Sequence, residues 1–304
     1  MKAEEPAATR CGFVALIGAP NVGKSTLINA LVGEKVSIVS RKVQTTRALI
    51  RGIVIEGNAQ VILVDTPGIF APKRRLDRAM VTTAWTGAHD ADLVCVLLDA
   101  KLGIDAEAEA IFTRLAGVAH PKMLVINKID LVPREKLLAL AKAADERMKF
   151  EQIFMISALS ADGTDDLRKA LAAALPEGPF LYPEDQMSVA PMRHLAAEIT
   201  REKIYQQLHQ ELPYQSTVET DSWTERKDNS VRIEQTVFVE RESQRKIVLG
   251  KGGATIKSIG AAARKELAEI VGHPVHLFLF VKVREDWGND PDRYREMGLE
   301  FPKE

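Results

Sequence analysis

The sequence predicts two domains: an α/β domain on a mostly parallel, six-stranded sheet, then a smaller α+β domain. Three observations carry this. Six short apolar runs, "FVALIG", "IRGIVIEG", "QVILVD", "DLVCVLLD", "KMLVINK" and "QIFMISA", lie between Gly12 and Leu175, the later ones separated by amphipathic stretches. Pro176, Pro179, Pro183 and Pro191 then interrupt the chain. Beyond them the order changes to helix, strand, strand, helix, helix, strand. At 304 residues the chain is too long for one ordinary domain. The expected boundaries are 1–178 for the first domain, 179–190 for a linker and 191–304 for the second domain with its tail.

Taken in order, the first strand feeds a loop and a helix that starts at Lys24. The pair Gly57 and Asn58 between the second and third runs reads as a hairpin turn, so one edge strand is expected to be antiparallel. The second domain opens with a helix expected over Met192 to Glu211. Two strands follow, the second being "VRIEQTVFV", in which Val231, Ile233, Val237 and Val239 share one face. A short helix is expected near Gln244 to Leu249, and a second one carries the core stripe Ile256, Ile259, Ala263, Leu267 and Ile270. The strand "PVHLFLFVKV" closes the domain, and the tail "REDWGNDPDRYREMGLEFPKE" is either a docked helix or disordered.

Composition narrows the class. The residues are 46% apolar and 27% charged, ordinary for a folded soluble protein. A formal net charge of −1 argues against a protein that coats nucleic acid by bulk charge and leaves only a local patch. The two cysteines, Cys11 and Cys95, cannot build a disulfide framework, and Cys95 lies inside an apolar run, where it acts as a small hydrophobe; a reducing cytosol fits. "MKAEEPAATR" has no apolar core for a signal peptide and no later run is long enough for a membrane helix, so any membrane contact is expected to be peripheral.

The chemistry begins at "GAPNVGKS", which follows a strand and opens a helix, the context that makes G-x-x-x-x-G-K-S a phosphate loop. Gly18, Ala19, Pro20, Asn21, Val22, Gly23, Lys24, Ser25 and Thr26 form this candidate site. Its backbone N–H groups cradle a β-phosphate, Lys24 reaches the β- and γ-phosphates, and the Ser25 hydroxyl ligates Mg²⁺. "VILVDTPG" contributes Asp65, Thr66, Pro67 and Gly68: the Asp65 carboxylate faces the Mg²⁺ shell and the Gly68 N–H faces the γ-phosphate. In "NKID", Asp130 accepts from both N–H groups on the Watson–Crick edge of guanine, Asn127 braces the loops, and the Lys128 stem lies over the base. Adenine lacks that pair of donors, so the site should select GTP and GDP over adenine nucleotides. "SALS" adds Ser157 and Ala158, whose amide is placed to donate to guanine O6. In "SIVSRKVQTTRALI", Thr46 or else Thr45 offers a hydroxyl to Mg²⁺ only when the γ-phosphate is present. The residues expected to act in catalysis are therefore Lys24, Thr46, Asp65 and Gly68, and those expected to ligate the metal are Ser25, Thr46 and Asp65.

These elements, in this order, resemble the Ras-like GTPases of the translation-factor class over the whole first domain. One departure stands out. After Gly68 the Ras-like enzymes carry a water-orienting glutamine, and this sequence has Ile69, which implies slow hydrolysis. Asn21 resembles the asparagine with which potassium-dependent GTPases hold K⁺; the alternative is an asparagine that braces its loop.

A second glycine loop, "GKGG", joins two helices instead of following a strand, and it lacks the Lys-Ser pair that grips a triphosphate. Between Ser243 and Lys265 lie Arg245, Lys246, Lys251, Lys257, Arg264 and Lys265 and no acidic residue. This is a local anion-binding patch. The loop and "KIVLGKGGATIKSIG" resemble the signature of a type II KH domain, which clamps single-stranded RNA with G-x-x-G. The RNA-contacting set expected from it is Arg245, Lys246, Gly250, Lys251, Gly252, Gly253 and Lys257.

A GTPase domain followed by one KH domain resembles the Era family of bacterial ribosome-assembly GTPases, with "RKVQTTR", "ELPY" and "REDWG" adding to the match. The resemblance implies binding of the 3′ end of 16S rRNA and of the small ribosomal subunit, a role in rRNA maturation, and a cytoplasmic monomer with a peripheral fraction at the inner face of the cell membrane. Two rival readings are a GTP-controlled protein-interaction module and a constitutive RNA binder on a vestigial GTPase scaffold; intact Lys24, Ser25, Asp65 and Asp130 count against the second.

Overall fold

The computed structural model describes residues 8–72, 74–209 and 212–302. The first domain runs β1 (Arg10–Ile17), α1 (Lys24–Val32), β2 (Ile50–Glu56), β3 (Ala59–Asp65), α2 (Arg75–Asp90), β4 (Leu93–Asp99), α3 (Ala106–Leu115), β5 (Lys122–Asn127), α4 (Arg134–Arg147), β6 (Gln152–Met155) and α5 (Thr164–Ala174). Its sheet has the order β2-β3-β1-β4-β5-β6, parallel except for β2, which the turn at Gly57 folds back onto β3. Every residue of β3 and β4 is buried, which is why these strands read as unbroken apolar runs and not as alternating ones. Burial pushes the Cys95 thiol up to about 12, so it behaves as a packing group.

The proline-rich stretch that follows forms no helix or strand, yet it is tied down. The Ile53 amide donates to the Met187 carbonyl (2.9 Å), the Val189 amide to the Arg51 carbonyl (3.2 Å), and Gln60 Oε1 accepts from the Leu181 amide (2.8 Å). The segment thus covers the outer edge of β2, which would otherwise present unpaired backbone groups.

The second domain comprises α6 (Met192–Gln207), β7 (Ser216–Glu225), β8 (Val231–Val239), α7 (Glu242–Leu249), α8 (Ala254–Val271), β9 (Val275–Val283) and α9 (Pro291–Glu296). β8 pairs antiparallel with β7 and parallel with β9. Val231, Ile233, Val237 and Val239 are buried from one face of β8, opposite Ile259, Ala263 and Leu267 of α8. Two ends differ from the expected ones. α6 stops at Gln207 because Leu208 turns extended (φ −100°, ψ 157°); Gln210 and Glu211 of the expected helix lie outside the described residues. α7 begins two residues early, at Glu242, because Gln244 Oε1 accepts from the Arg241 amide (3.1 Å) and closes a capping box.

The tail takes the docked form of its two expected alternatives. Tyr294 of α9 and Leu299 beyond it are buried against Ala79 and Met80 of α2, and Phe301 joins the same cluster. Among the described residues, no helix is long and apolar enough to cross a membrane.

Candidate nucleotide site and RNA-facing loop

The carboxyl ends of β1, β3, β4 and β5 open onto a cavity of about 810 Å³, lined by Pro20, Asn21, Gly23, Lys24, Ser25, Thr26, Thr46, Gly68, Asn127, Lys128, Asp130, Ser157 and Ala158. This is the crevice where open α/β sheets bind ligands, with room for a nucleotide. Gly23 sits at φ +100°, and a Cβ there would come within 2.3 Å of Asn127 Nδ2. Only glycine lets the loop close so tightly against the base-reading motif.

Lys24 is buried, and its ammonium donates to the Gly18 and Ala19 carbonyls, both at 3.0 Å. Burial lowers its pKa to about 8, against the opposing pull of Asp65 and Glu107. A triphosphate beside it would push that value back up, since nearby negative charge favours the ammonium.

Around Asp65 several hydroxyls converge. Ser25 Oγ donates to Asp65 Oδ2 (2.7 Å), as does Ser37 Oγ (2.8 Å), and Thr46 Oγ1 lies 2.9 Å from Ser25 Oγ. Both threonines line the cavity, but only the Thr46 hydroxyl reaches the Asp65 cluster; the Thr45 hydroxyl donates to the Lys42 carbonyl (2.7 Å). Ser37 opens the stretch "SIVSRKVQTTRALI", and its spacing alone assigns it no role. Asp65 Oδ1 is buried with no hydrogen-bond partner among the described residues. Burial raises the Asp65 pKa, while Lys24 and the hydroxyls of Ser25, Ser37 and Thr46 pull it down. One buried carboxylate with an unpaired oxygen, next to two hydroxyls, fits Mg²⁺, which takes few protein ligands and completes its shell from phosphates and water.

Asn127 ties three loops together: its Nδ2 donates to the Val22 carbonyl (2.9 Å), and its Oδ1 accepts from the Lys128 amide (2.8 Å) and the Ala158 amide (2.9 Å). The Ala158 N–H expected to meet guanine O6 is bonded to Asn127 in this arrangement. Asp130 is exposed at the mouth of the cavity, and no side-chain hydrogen bond holds it among the described residues. Its carboxylate is open to a base.

The segment from Lys35 to Arg47, which carries Thr46 into the site, packs on the second domain. Ile38 is fully buried among Ala196, Ile199, Val231 and Ile233. The Val39 amide donates to Glu202 Oε1 (2.7 Å), and Arg201 Nη2 donates to the Thr45 carbonyl (2.5 Å). Arg47, buried, donates to the carbonyls of Ser216 (2.8 Å), Pro213 (3.2 Å) and Tyr214 (3.0 Å) and to the Tyr205 hydroxyl (3.0 Å). Adjacent residues thus belong to different domains: the Thr46 hydroxyl lies in the nucleotide site and the Arg47 guanidinium in the KH-like fold.

At the far loop, Gly250, Gly252 and Gly253 all have positive φ (72°, 61° and 79°). A Cβ at Gly250 would meet Thr255 Oγ1 at 2.2 Å, whereas nothing lies within 4 Å of one at Gly252. Lys246, Lys251 and Lys257 are exposed; Arg245 is half-buried, donating to the Val281 carbonyl (3.1 Å) and pairing with Glu242 (3.0 Å). Arg245 is therefore less free to meet an anion than the lysines.

Fold and sites together define a GTPase that carries a C-terminal KH domain. Residues 13–128 match the family described as 50S ribosome-binding GTPase, and residues 211–288 match the KH domain family. The chain is 83% identical to the GTPase Era of Bradyrhizobium diazoefficiens over 99% of its own length and 98% of the relative's. It is 66% identical to that of Rhizobium meliloti over 97% and 94%. A crystal structure of an Aquifex aeolicus Era variant bound to GDP and AlF₄⁻ superposes with a TM-score of 0.90 at 39% identity, covering 95% of this chain and 99% of that one. A crystal structure of Era with MgGDPNP and nucleotides 1506–1542 of 16S ribosomal RNA gives the same TM-score, identity and coverage. The chain belongs to the Era family of GTPases.

Proposed function

We propose that this GTPase is a nucleotide-operated clamp for the single-stranded 3′ end of 16S rRNA, acting in small-subunit assembly and rRNA maturation. The observation that carries it is the adjacency of Thr46 and Arg47, which ties the nucleotide site directly to the KH domain. The RNA is inferred from the complex of the Era structure with nucleotides 1506–1542 of 16S rRNA, and from the exposed lysines around G-x-x-G here. Ser25, Thr46 and Asp65 would hold Mg²⁺, which, when bound, neutralises charge on the phosphates. Lys24 binds the β- and γ-phosphates, the Gly68 amide meets the γ-phosphate, and Asp130 reads guanine. The experiment is a titration of labelled RNA of that 3′-end sequence into protein loaded with Mg²⁺-GDPNP or with GDP, with tighter binding expected in the first state. On the same family reading the protein is a cytoplasmic monomer with a peripheral membrane fraction, which sedimentation and cell fractionation check.

Hydrolysis is expected to be slow, because Ile69 packs against the apolar core and offers water no polar group. K⁺ is the proposed aid. Asn21, at φ 62°, donates from Nδ2 to the Arg41 carbonyl (3.1 Å), so its amide already faces the segment that would enclose such an ion. Turnover should be faster in K⁺ than in Na⁺, and Asn21→Ala should abolish that difference with nucleotide still bound. Equal rates in the two salts for the wild-type protein would remove K⁺ from the account.

A further inference from the structure

We propose that Asp99 is a positioning residue for the guanine nucleotide, acting through Lys128. Asp99 ends β4 and stands in register beside Asn127, which ends β5. Its carboxylate is held before any ligand arrives: Oδ1 accepts from the Lys101 amide (2.8 Å), and the Asp99 carbonyl accepts from the Gly103 amide (2.9 Å) in the turn that follows. Its side chain is only 7% exposed. Lys128, in the left-handed region at φ 65°, bridges two anchors with its ammonium, donating to Asp99 Oδ2 (2.6 Å) and to the Asn21 carbonyl of the phosphate loop (2.5 Å). β4, the phosphate loop and the base-reading motif therefore meet at one nitrogen.

Lysine is a flexible stem whose ordering costs rotamer entropy. A buried, pre-oriented carboxylate offsets that cost in advance, so the stem lies across the base position before the nucleotide enters. Neither neighbour replaces it: the Asn21 carbonyl carries no formal charge, and Asp130 is the base reader. Asp99 carries no sequence signal of its own, since "LLDA" is an ordinary strand end.

The proposal deepens the guanine-site reading and rests on it. Asp99→Asn keeps an oxygen for the Lys101 amide but turns the acceptor that faces Lys128 into an amide donor, so the ammonium loses its charged partner while the turn keeps its side-chain bond. The measurement is the dissociation rate of a fluorescent GDP analogue from the full-length chain. Asp99→Asn is expected to release it about tenfold faster, the loss of one charge-assisted hydrogen bond. Lys128→Met should do the same, and the double variant should be no faster than the worse single one, because both remove the same strut. Asp99→Glu should recover part of the loss. Wild-type release from Asp99→Asn, or effects that multiply in the double variant, would overturn the proposal. Failure of the guanine reading itself would show differently, as unchanged GTP binding in an Asp130 variant.

Discussion

Asp130→Asn is expected to weaken GTP binding by at least about a thousandfold while gaining xanthosine triphosphate. Asp130 stands unpaired at the mouth of the cavity and meets solvent until a base arrives. Guanine presents two N–H donors to its two carboxylate oxygens. An asparagine turns one acceptor into a donor, so one bond is lost and a donor faces a donor. A site built to hydrogen-bond a substrate group discriminates by about 10⁴-fold or more against a ligand that leaves it unpaired. Xanthine replaces the 2-amino group with an oxygen, which the new donor can meet. Calorimetry of both nucleotides on both proteins checks this, and unchanged GTP affinity in the variant would refute the base assignment.

The second large effect is expected at the G-x-x-G loop. Lys251→Asp with Gly252→Asp puts two negative charges where RNA phosphates should pass and a side chain where the backbone needs room. The fold should survive. Both positions are exposed, nothing lies within 4 Å of a Cβ at Gly252, and the buried Ile259, Ala263 and Leu267 are untouched. The left-handed φ of 61° at Gly252 is a conformation that aspartate adopts more readily than most residues. Wild-type affinity should fall with log salt at a slope of about −0.7 per phosphate contact, roughly −1.5 to −3 for two to four contacts. The double variant should bind more weakly and with a flatter slope, and GTP affinity should hold, since Lys24 and Asp130 lie in the other domain. Wild-type RNA binding by the variant at moderate salt would place the clamp elsewhere.

Which parts of this were legible in the sequence follows from what sequence records. The succession of strands and helices along the chain, the two glycine loops and the guanine-reading motif are local patterns. Lys24 and Asp65 follow strands at fixed spacing, and such spacing survives in a string of letters. Contacts between distant segments leave no such trace. Arg47 was a basic residue after "TT", and nothing nearby announced that Ser216, 169 positions on, would accept its hydrogen bond. Ile38 read as part of a switch loop, yet it fills the core of the second domain. The proline-rich stretch carried a breaker signal, which is true of its backbone but silent about its pairing with β2. The early end of α6 and the engaged Ala158 amide were missed likewise, one decided by a single extended residue and the other by the Asn127 side chain.

The coupling of the two domains is the claim on which the rest depends. Ile38, Val39, Thr45 and Arg47 are among the grips that the KH domain has on the segment that carries Thr46, so a nucleotide that moves Thr46 must pull on those grips or break them. The most direct test is the dissociation constant for a labelled 16S 3′-end RNA, measured on the same preparation loaded with Mg²⁺-GDPNP and then with GDP. The account requires the GDPNP state to bind about tenfold more tightly, within the usual range of coupling between two sites, and Arg47→Ala to erase most of that difference. Equal RNA affinity in the two nucleotide states of the wild-type protein would contradict it.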